Sequence, residues 1–275
     1  MSLPDPIFVP PALPVVVPPF KVECVVTCVG NGDFLAATLL WNIRQVDTLI
    51  VITAPEDKET QRICDFHGVK YYVTDEFQSR WGHFCKGKGI NHGLAQLKKD
   101  AWLLHLDCDI ALPTNFRDVL SRAALDTSMI YGCDRAEFKS YEAWARFIGD
   151  PEPATQGNGF FIHVGHTGQG LGTRVAFRHE GGYIPIGFFQ LWHADSGRVK
   201  YIEGHSDAGR EDSHFAALWP RAKRSFLPEV QVYHLESEPA AMCTNWKGRQ
   251  TKRFAYDGDQ LTGRLRVGND AVSKA

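Results

Sequence analysis

The chain has 275 residues, of which 44% are hydrophobic and 12% aromatic, as in a globular protein with a full core and unlike a disordered or fibrous chain. Thirty basic against thirty-two acidic residues leave a formal net charge of −2, so overall charge does not favour nucleic acid or an anionic membrane as a partner. The seven cysteines are scattered and the apolar runs are far shorter than a membrane span. We therefore expect a cytoplasmic protein with reduced thiols, no membrane span and no signal peptide.

Residues 1–20 are predicted to form a proline-rich arm, because seven prolines lie in this stretch. Proline fixes φ and lacks a backbone N–H, so the arm can form neither a helix nor a central strand. We expect an extended segment that lies on the body or stays loose. A single domain is predicted for residues 21–240. Residues 241–275 are polar and basic, which favours a surface tail or a partner-contacting extension.

Strand and helix patterns alternate in the first half of the domain. The predicted strands are Val22–Val29, Thr48–Thr53, Val69–Val73 and Ala101–Leu106. The predicted helices are Phe34–Ile43, Lys58–His67, which Gly68 closes, and Lys86–Lys99. This order predicts an α/β fold with a mainly parallel, doubly wound sheet flanked by helices.

The pattern is less regular after Pro113. Short helices are predicted at Tyr141–Phe147 and Arg210–Trp219, and a late strand at Glu229–Leu235. Between them, residues 157–187 are rich in glycine and aromatic residues, which predicts irregular strands and loops.

The fourth predicted strand runs directly into Asp107-Cys108-Asp109. Side chains alternate along a strand, so the two aspartates are expected to project to one side and Cys108 to the other. Paired carboxylates at the carboxyl end of a strand suit Mg²⁺ or Mn²⁺ holding a diphosphate. The alternative is that both aspartates cap a turn before Pro113.

Two glycine-containing turns offer backbone amides to a ligand. The turn Gly30-Asn31-Gly32-Asp33 follows the first strand and precedes a helix, so it is either an anion-facing turn or a plain one. Lys86, Lys88 and Asn91 lie at the start of the third helix, where exposed amides and positive charge favour phosphate oxygens. The alternative there is a solvated basic turn.

Four segments in this order resemble a glycosyltransferase of the GT-A fold, closest to the family 2 type. They are VVTCVGNGDFL, KGKGINHGLAQLKKDAWLLHLDCDIALP, GREDSHFAALWP and VYHLES, and the resemblance covers roughly residues 21–236. It implies a Rossmann-like GT-A domain, a nucleotide-sugar donor, most simply a UDP-sugar, and Mn²⁺ or Mg²⁺ as cofactor.

The resemblance also implies roles for particular residues on the donor side. Gly30 and Asn31 would hold the base, and Asp57 would contact the base or ribose, although a helix-capping aspartate would look the same. Asp109 would bind the metal with His234, and Asp107 would lie near the ribose or a metal-bound water. A lone histidine on an apolar strand is otherwise a core residue.

On the acceptor side, the resemblance makes Asp212, beside Glu211, the base that removes the acceptor's proton, which implies direct displacement with inversion. Capping of a helix is the alternative for this acidic pair. Phe189, Trp192 and His193 would lie near a sugar, because flat aromatic rings suit its C–H faces, or else belong to the core.

Two other classes of protein fit parts of the pattern. A nucleotidyltransferase shares the alternating fold and the acidic pair but usually has a basic glycine-rich loop after the first strand, and residues 30–33 have no basic residue. A non-catalytic carbohydrate-binding protein is the third interpretation. The acceptor is left open between a glycan, a lipopolysaccharide core and modified nucleic acid.

Overall fold

The computed structural model describes residues 20–78, 84–149, 162–164, 184–198, 200–203, 210–238, 249 and 251–254. The predicted arm before residue 20, most of the irregular stretch 157–187 and most of the tail 241–275 lie outside these ranges. The predicted domain boundaries therefore stay predictions.

The described residues form nine strands and six α-helices. The strands are β1 (Val22–Thr27), β2 (Thr48–Thr53), β3 (Tyr71–Val73), β4 (Trp102–Asp107), β5 (Ile110–Ala111), β6 (Ile130–Phe138), β7 (Ile162–Val164), β8 (Phe189–His193) and β9 (Arg224–Leu235). The helices are α1 (Gly32–Asn42), α2 (Lys58–His67), α3 (Lys86–Gln96), α4 (Phe116–Arg122), α5 (Tyr141–Gly149) and α6 (Glu211–Ala216).

All nine of these strands join one sheet in the order β3-β2-β1-β4-β8-β6-β9-β5, with β7 paired to β6. The first four are parallel to one another and follow the 3-2-1-4 order of a Rossmann-like half. Strand β8 then pairs antiparallel with both β4 and β6, so the complete sheet is mixed. The predicted α/β class is confirmed, and the parallel arrangement belongs to the half that carries β1 and β4.

Alternation along the strands divides the core between the two faces of the sheet. Side chains of β1 and β4 on one face pack with α1 and α2 in a cluster that includes Cys24, Val26, Leu104, Phe34 and Cys64. On the other face they pack with α3 and α6 in a cluster that includes Val25, Ile52, Leu103, Ile90 and Phe215. The helices therefore cover both faces and leave the strand ends open for ligands.

A left-handed glycine ends α2, and a distant side chain determines where α3 ends. Gly68 adopts φ 64° and ends α2 as predicted. Helix α3 ends at Gln96 rather than at Lys99, because the buried carboxylate of Glu23 accepts hydrogen bonds from the amides of Lys98 (3.3 Å) and Lys99 (2.8 Å). Lys99 has φ 58°, which a helix cannot accommodate.

The later elements differ more from their predictions. Helix α6 is shorter than the predicted Arg210–Trp219, and β9 begins five residues before the predicted Glu229. The sequence did not predict β6 or β8, although both lie in the middle of the sheet. Within the described ranges, no helix has the length and apolar character needed to cross a membrane. The six cysteines described there are free and buried.

Candidate active site

The carboxyl ends of β1 and β4 lie side by side, because Thr27 pairs with Asp107 in the parallel register. Helix α3 begins at the same edge, and Lys86 Nζ contacts Asp107 Oδ1. The negative charges of Asp107, Asp212 and Asp109 all act on Lys86, which brings α6 and the turn after β4 into the same cluster. These predicted site residues therefore meet at the edge where open α/β sheets bind ligands.

The electrostatics of this cluster are unbalanced. Burial lowers the pKa of Lys86, but the attraction of Asp107, with Asp212 and Asp109, outweighs it, so the pKa is raised and the lysine is charged. Burial raises the pKa of Asp107 to about 6; Lys86 opposes the rise, and the charges of Asp109 and Asp212 add to it. Asp107, Asp109 and Asp212 repel one another around Lys86, so a bound cation would stabilise the cluster further.

Asp109 and His234 form the second half of the cluster. Strands β5 and β9 pair Ile110 with His234, and this register brings His234 Nε2 to 3.5 Å from Asp109 Oδ2. Burial raises the pKa of Asp109, but the charge of His234 outweighs it and the pKa is lowered. Burial alone would lower the pKa of His234, and Asp109 raises it to about 9. The structure thus brings together the two residues that the resemblance paired.

The donor set fits a divalent metal. Asp109 Oδ1 is buried and has no hydrogen-bond partner among the described residues. A buried carboxylate oxygen without a donor is costly, and a bound cation would satisfy it. Carboxylate oxygen and imidazole nitrogen are both ligands of Mn²⁺. Asp107 lies in the same cluster with its Oδ1 on Lys86.

The two acidic residues at the start of α6 make different contacts. Glu211 is 1% exposed, and its Oε2 accepts a hydrogen bond of 2.5 Å from the amide of Gly87 in the first turn of α3. Glu211 thus caps another helix through Oε2, and its assignment as a catalytic group stays a prediction. Asp212 is half-buried and accepts hydrogen bonds from the amides of Gly187 and Ser213, both 2.6 Å, which fix its orientation.

Around β1, the predicted nucleotide residues are engaged with one another. Gly30 adopts φ 69°, as its turn requires, and its amide donates to Asp57 Oδ2 over 2.8 Å. Asp57 caps α2 through the amide of Thr60 (3.1 Å), so the capping alternative is confirmed. Asn31 is 5% exposed at the start of α1. A nucleotide contact for these three residues stays a prediction.

Asn91 holds a loop rather than presenting its amide to solvent. Its Oδ1 accepts from the amide of Tyr201 (2.7 Å), and its Nδ2 donates to the carbonyl of Tyr201 (2.9 Å) and to Glu203 (2.8 Å). These bonds occupy both ends of the side chain in this structure, and the predicted phosphate contact stays a prediction. Lys88 is half-buried in the same turn, and its phosphate contact stays a prediction.

Three predicted sugar contacts lie elsewhere. Phe189 and Trp192 are fully buried on β8, so the core alternative holds and the sugar contact is corrected for both rings. His193 pairs with Trp102 at the start of β4, whereas Asp107 lies at its end. Five residues at about 3.3 Å each separate these ends by about 17 Å, which corrects His193 as well.

A C-terminal segment, residues 249 and 251–254, packs on the start of α1. The Arg249 guanidinium pairs with both oxygens of the fully buried Asp33, with 2.9 Å between Nη2 and Oδ2. Phe254 donates its amide to Asp33 (2.6 Å) and stacks on Phe34 at 5.0 Å. These contacts hold the described part of this segment against α1, and the predicted tail as a whole stays a prediction.

Replacing Arg249 is expected to destabilise the fold. Arg249→Met leaves the Asp33 carboxylate buried without its counter-charge, so we expect the free energy of unfolding to fall by about 3 kcal/mol in urea denaturation. Arg253→Met is the matched control, because Arg253 pairs with Glu59 at 42% and 23% side-chain exposure. That loss should stay below about 1 kcal/mol. Equal losses would contradict the importance of the Asp33 pair.

Several site-lining residues had no clear signal in the sequence. His105 is fully buried two residues before Asp107, with 3.7 Å between its Nε2 and Asp107 Oδ1. Burial, with the charge of Lys86, holds the pKa of His105 well below its ordinary value, so it is neutral. Gln190, also fully buried, donates to the carbonyl of Asp212 over 2.9 Å and accepts from Tyr201. The sequence offered only a weak signal for His105 and Gln190, namely that each is a polar residue within an apolar strand.

No family model and no curated protein matches the chain. Among solved structures, glucosyl-3-phosphoglycerate synthase from Mycobacterium tuberculosis, in complex with Mn²⁺, UDP-glucose and glycerol 3-phosphate, is similar at 12% identity and a TM-score of 0.33. The similarity covers 42% of this chain and 44% of the synthase. Mannosyl-3-phosphoglycerate synthase from Rubrobacter xylanophilus gives 20% identity and a TM-score of 0.32, covering 42% of this chain and 40% of that one.

A protein assigned as a glucose-1-phosphate thymidylyltransferase from Bacillus anthracis, in complex with sucrose, gives 9% identity and a TM-score of 0.43. That similarity covers 77% of this chain and 89% of the other. The chain thus spans less than half the length of each synthase that it matches. Similarities of this size do not establish a function. The function proposed below is based on the geometry of the chain itself.

Proposed function

We propose that the chain is a metal-dependent glycosyltransferase that moves a sugar from a nucleotide-diphosphate donor, a UDP-sugar, to a hydroxyl acceptor with inversion. The single observation that carries the proposal is the cluster at the ends of β4 and β9, where Asp109 lies against His234 and Lys86 lies against Asp107. The charge of Asp212 acts on Lys86 and Asp107 in the same cluster.

Asp109 and His234 are proposed to hold a divalent cation, with Asp107 beside them. When bound, such a cation neutralises the negative charge that develops on the leaving diphosphate. Lys86, held by Asp107, adds a fixed positive charge for the phosphate oxygens. These residues together meet the requirement for leaving-group stabilisation.

Asp212 is proposed to be the base. Two backbone amides hold its carboxylate in one orientation. It takes the proton of the acceptor hydroxyl as the oxygen forms its bond to the sugar carbon and the diphosphate leaves from the opposite side. A single displacement inverts the configuration at that carbon.

Calorimetric titration with UDP, with and without Mn²⁺, tests the proposal. We expect binding that requires Mn²⁺ and that is unchanged by Asp195→Asn, a control carboxylate that is 80% exposed beside His193. Incubation with a panel of nucleotide sugars should then release UDP. No metal-dependent binding would defeat the proposal, and release of pyrophosphate from a nucleoside triphosphate and a sugar phosphate would indicate nucleotidyl transfer instead.

A further inference from the structure

Two carboxylates lie on the side of His234 that faces away from Asp109. Glu137 Oε1 is 3.8 Å and Glu236 Oε1 is 3.6 Å from His234 Nδ1. Glu137, His234 and Glu236 offer ligand atoms within 4.8 Å of one another, as a metal site would. His234 therefore has carboxylates near both of its ring nitrogens, and its buried Nδ1 has no hydrogen-bond partner within 3.5 Å among the described residues.

The charges around the two glutamates argue against a metal ion between them. Lys139 Nζ contacts Glu137 Oε2 at 2.6 Å and also contacts Glu236. Arg135 Nη2 lies 3.2 Å from Glu137 Oε1. Two cations thus balance two carboxylates, and a divalent ion placed here would meet a lysine ammonium. The glutamates are better explained as a charged support for the imidazole of His234.

Glu137 is the better fixed of the two supports. Strands β6 and β9 pair Glu137 directly with His234, so the backbone of the sheet sets the position of one against the other. The Glu137 side chain is 2% exposed, and its two basic partners hold it, whereas that of Glu236 is 21% exposed. The Glu137 carboxylate cannot turn to solvent, and it stays beside Nδ1.

We propose that Glu137 is a positioning residue that accepts the Nδ1–H of His234 when a cation binds at Nε2, closing a separation that is 3.8 Å in this structure. This inference rests on the proposed function, because it assumes a metal on the Asp109 side of the ring. A metal-binding histidine generally donates its second ring N–H to a carboxylate or carbonyl, which fixes the tautomer and the ring plane. Glu137 supplies that acceptor without itself touching the metal.

The test is the affinity of the protein for Mn²⁺ alone, measured from the electron paramagnetic resonance signal of the unbound ion. Loss of such a support typically weakens metal binding by about 10- to 100-fold, and we expect this loss for Glu137→Gln. Glu23→Gln is the matched control, since Glu23 is also 1% exposed in the same sheet but accepts the amide of Lys99 (2.8 Å). Its Mn²⁺ affinity should equal that of the unmodified protein.

A double-mutant cycle separates positioning from a general structural effect. His234→Gln keeps an oxygen ligand for Mn²⁺ but removes the ring, so adding Glu137→Gln to it should cause no further loss. Should Glu137→Gln fail to fold, Glu137→Asp keeps the charge and withdraws the carboxylate from Nδ1, and the same weakening is expected.

The outcomes distinguish this inference from the proposed function. If the unmodified protein does not bind Mn²⁺, the proposed function fails. If it binds Mn²⁺ and Glu137→Gln binds equally well, or if the loss is the same with and without the His234 ring, the inference about Glu137 is overturned while the proposed function stands.

Discussion

Asp109→Ala is expected to abolish Mn²⁺-dependent UDP binding and to lower turnover by about 1,000-fold or more. The carboxylate contributes one oxygen without a hydrogen-bond partner in the described part of the chain and a second one against His234. Losing a metal ligand removes several kcal/mol of transition-state stabilisation, and each 1.36 kcal/mol is worth about tenfold in rate. Steady-state turnover at saturating donor, over a Mn²⁺ titration, measures the effect.

The control for this experiment is Asp118→Asn, an exposed carboxylate on α4, which should leave turnover and Mn²⁺ dependence unchanged. Thermal unfolding without metal is measured alongside, because removing Asp109 relieves its repulsion of Asp107 but also leaves His234 without its carboxylate partner, so Asp109→Ala is expected to unfold at a lower temperature than Asp118→Asn. Normal turnover of Asp109→Ala at low Mn²⁺ would refute the metal assignment.

Asp212→Asn is expected to lower kcat by about 100- to 10,000-fold, the usual contribution of a general base, with the affinity for UDP unchanged. The asparagine keeps the shape of the side chain but has one acceptor oxygen, so one of the amides of Gly187 and Ser213 loses its partner. The accompanying loss of stability should be about 1 kcal/mol. Single-turnover kinetics together with UDP calorimetry separate the two effects.

Glu211→Gln provides the contrast, because Glu211 caps α3 through the amide of Gly87 and lies 1% exposed. We expect Glu211→Gln to lower the unfolding temperature and to reduce kcat far less than Asp212→Asn does. If Asp212→Asn transferred sugar at the normal rate, the base would have to be another residue.

The first half of the fold could be predicted because local signals agree with the tertiary structure. Thr48–Thr53 and Lys58–His67 have the predicted bounds, since a buried parallel strand is a continuous apolar run and Gly68 marks the helix end. Lys99 was wrongly included in α3, because the deciding partner, Glu23, lies 76 residues earlier. The spacing of apolar residues within a helix contains no information about a hydrogen bond to such a distant residue.

The candidate site could be predicted only in part, for the same reason. Asp107 and Asp109 stand together in the sequence, and their strand end is a known ligand position. The support from Glu137 depends on the register of β6 and β9, and β6 itself was not predicted. Trp192 has the flat aromatic ring that suits a sugar contact, but β8 pairs antiparallel within the sheet and buries this ring. The type of residue alone does not distinguish a ligand contact from a buried core position.

The contact between Asp33 and Arg249 has a consequence for biosynthesis. The two residues are 216 positions apart, and at about 5 to 20 residues per second a ribosome needs about 10 to 40 s to pass from one to the other. During this interval the position that buries Asp33 lacks the Arg249 guanidinium that balances its charge, and burying the carboxylate there alone would be costly. The turn at Gly30, whose carbonyl Arg249 also contacts, is therefore completed only after residue 249 has been made, long after β1.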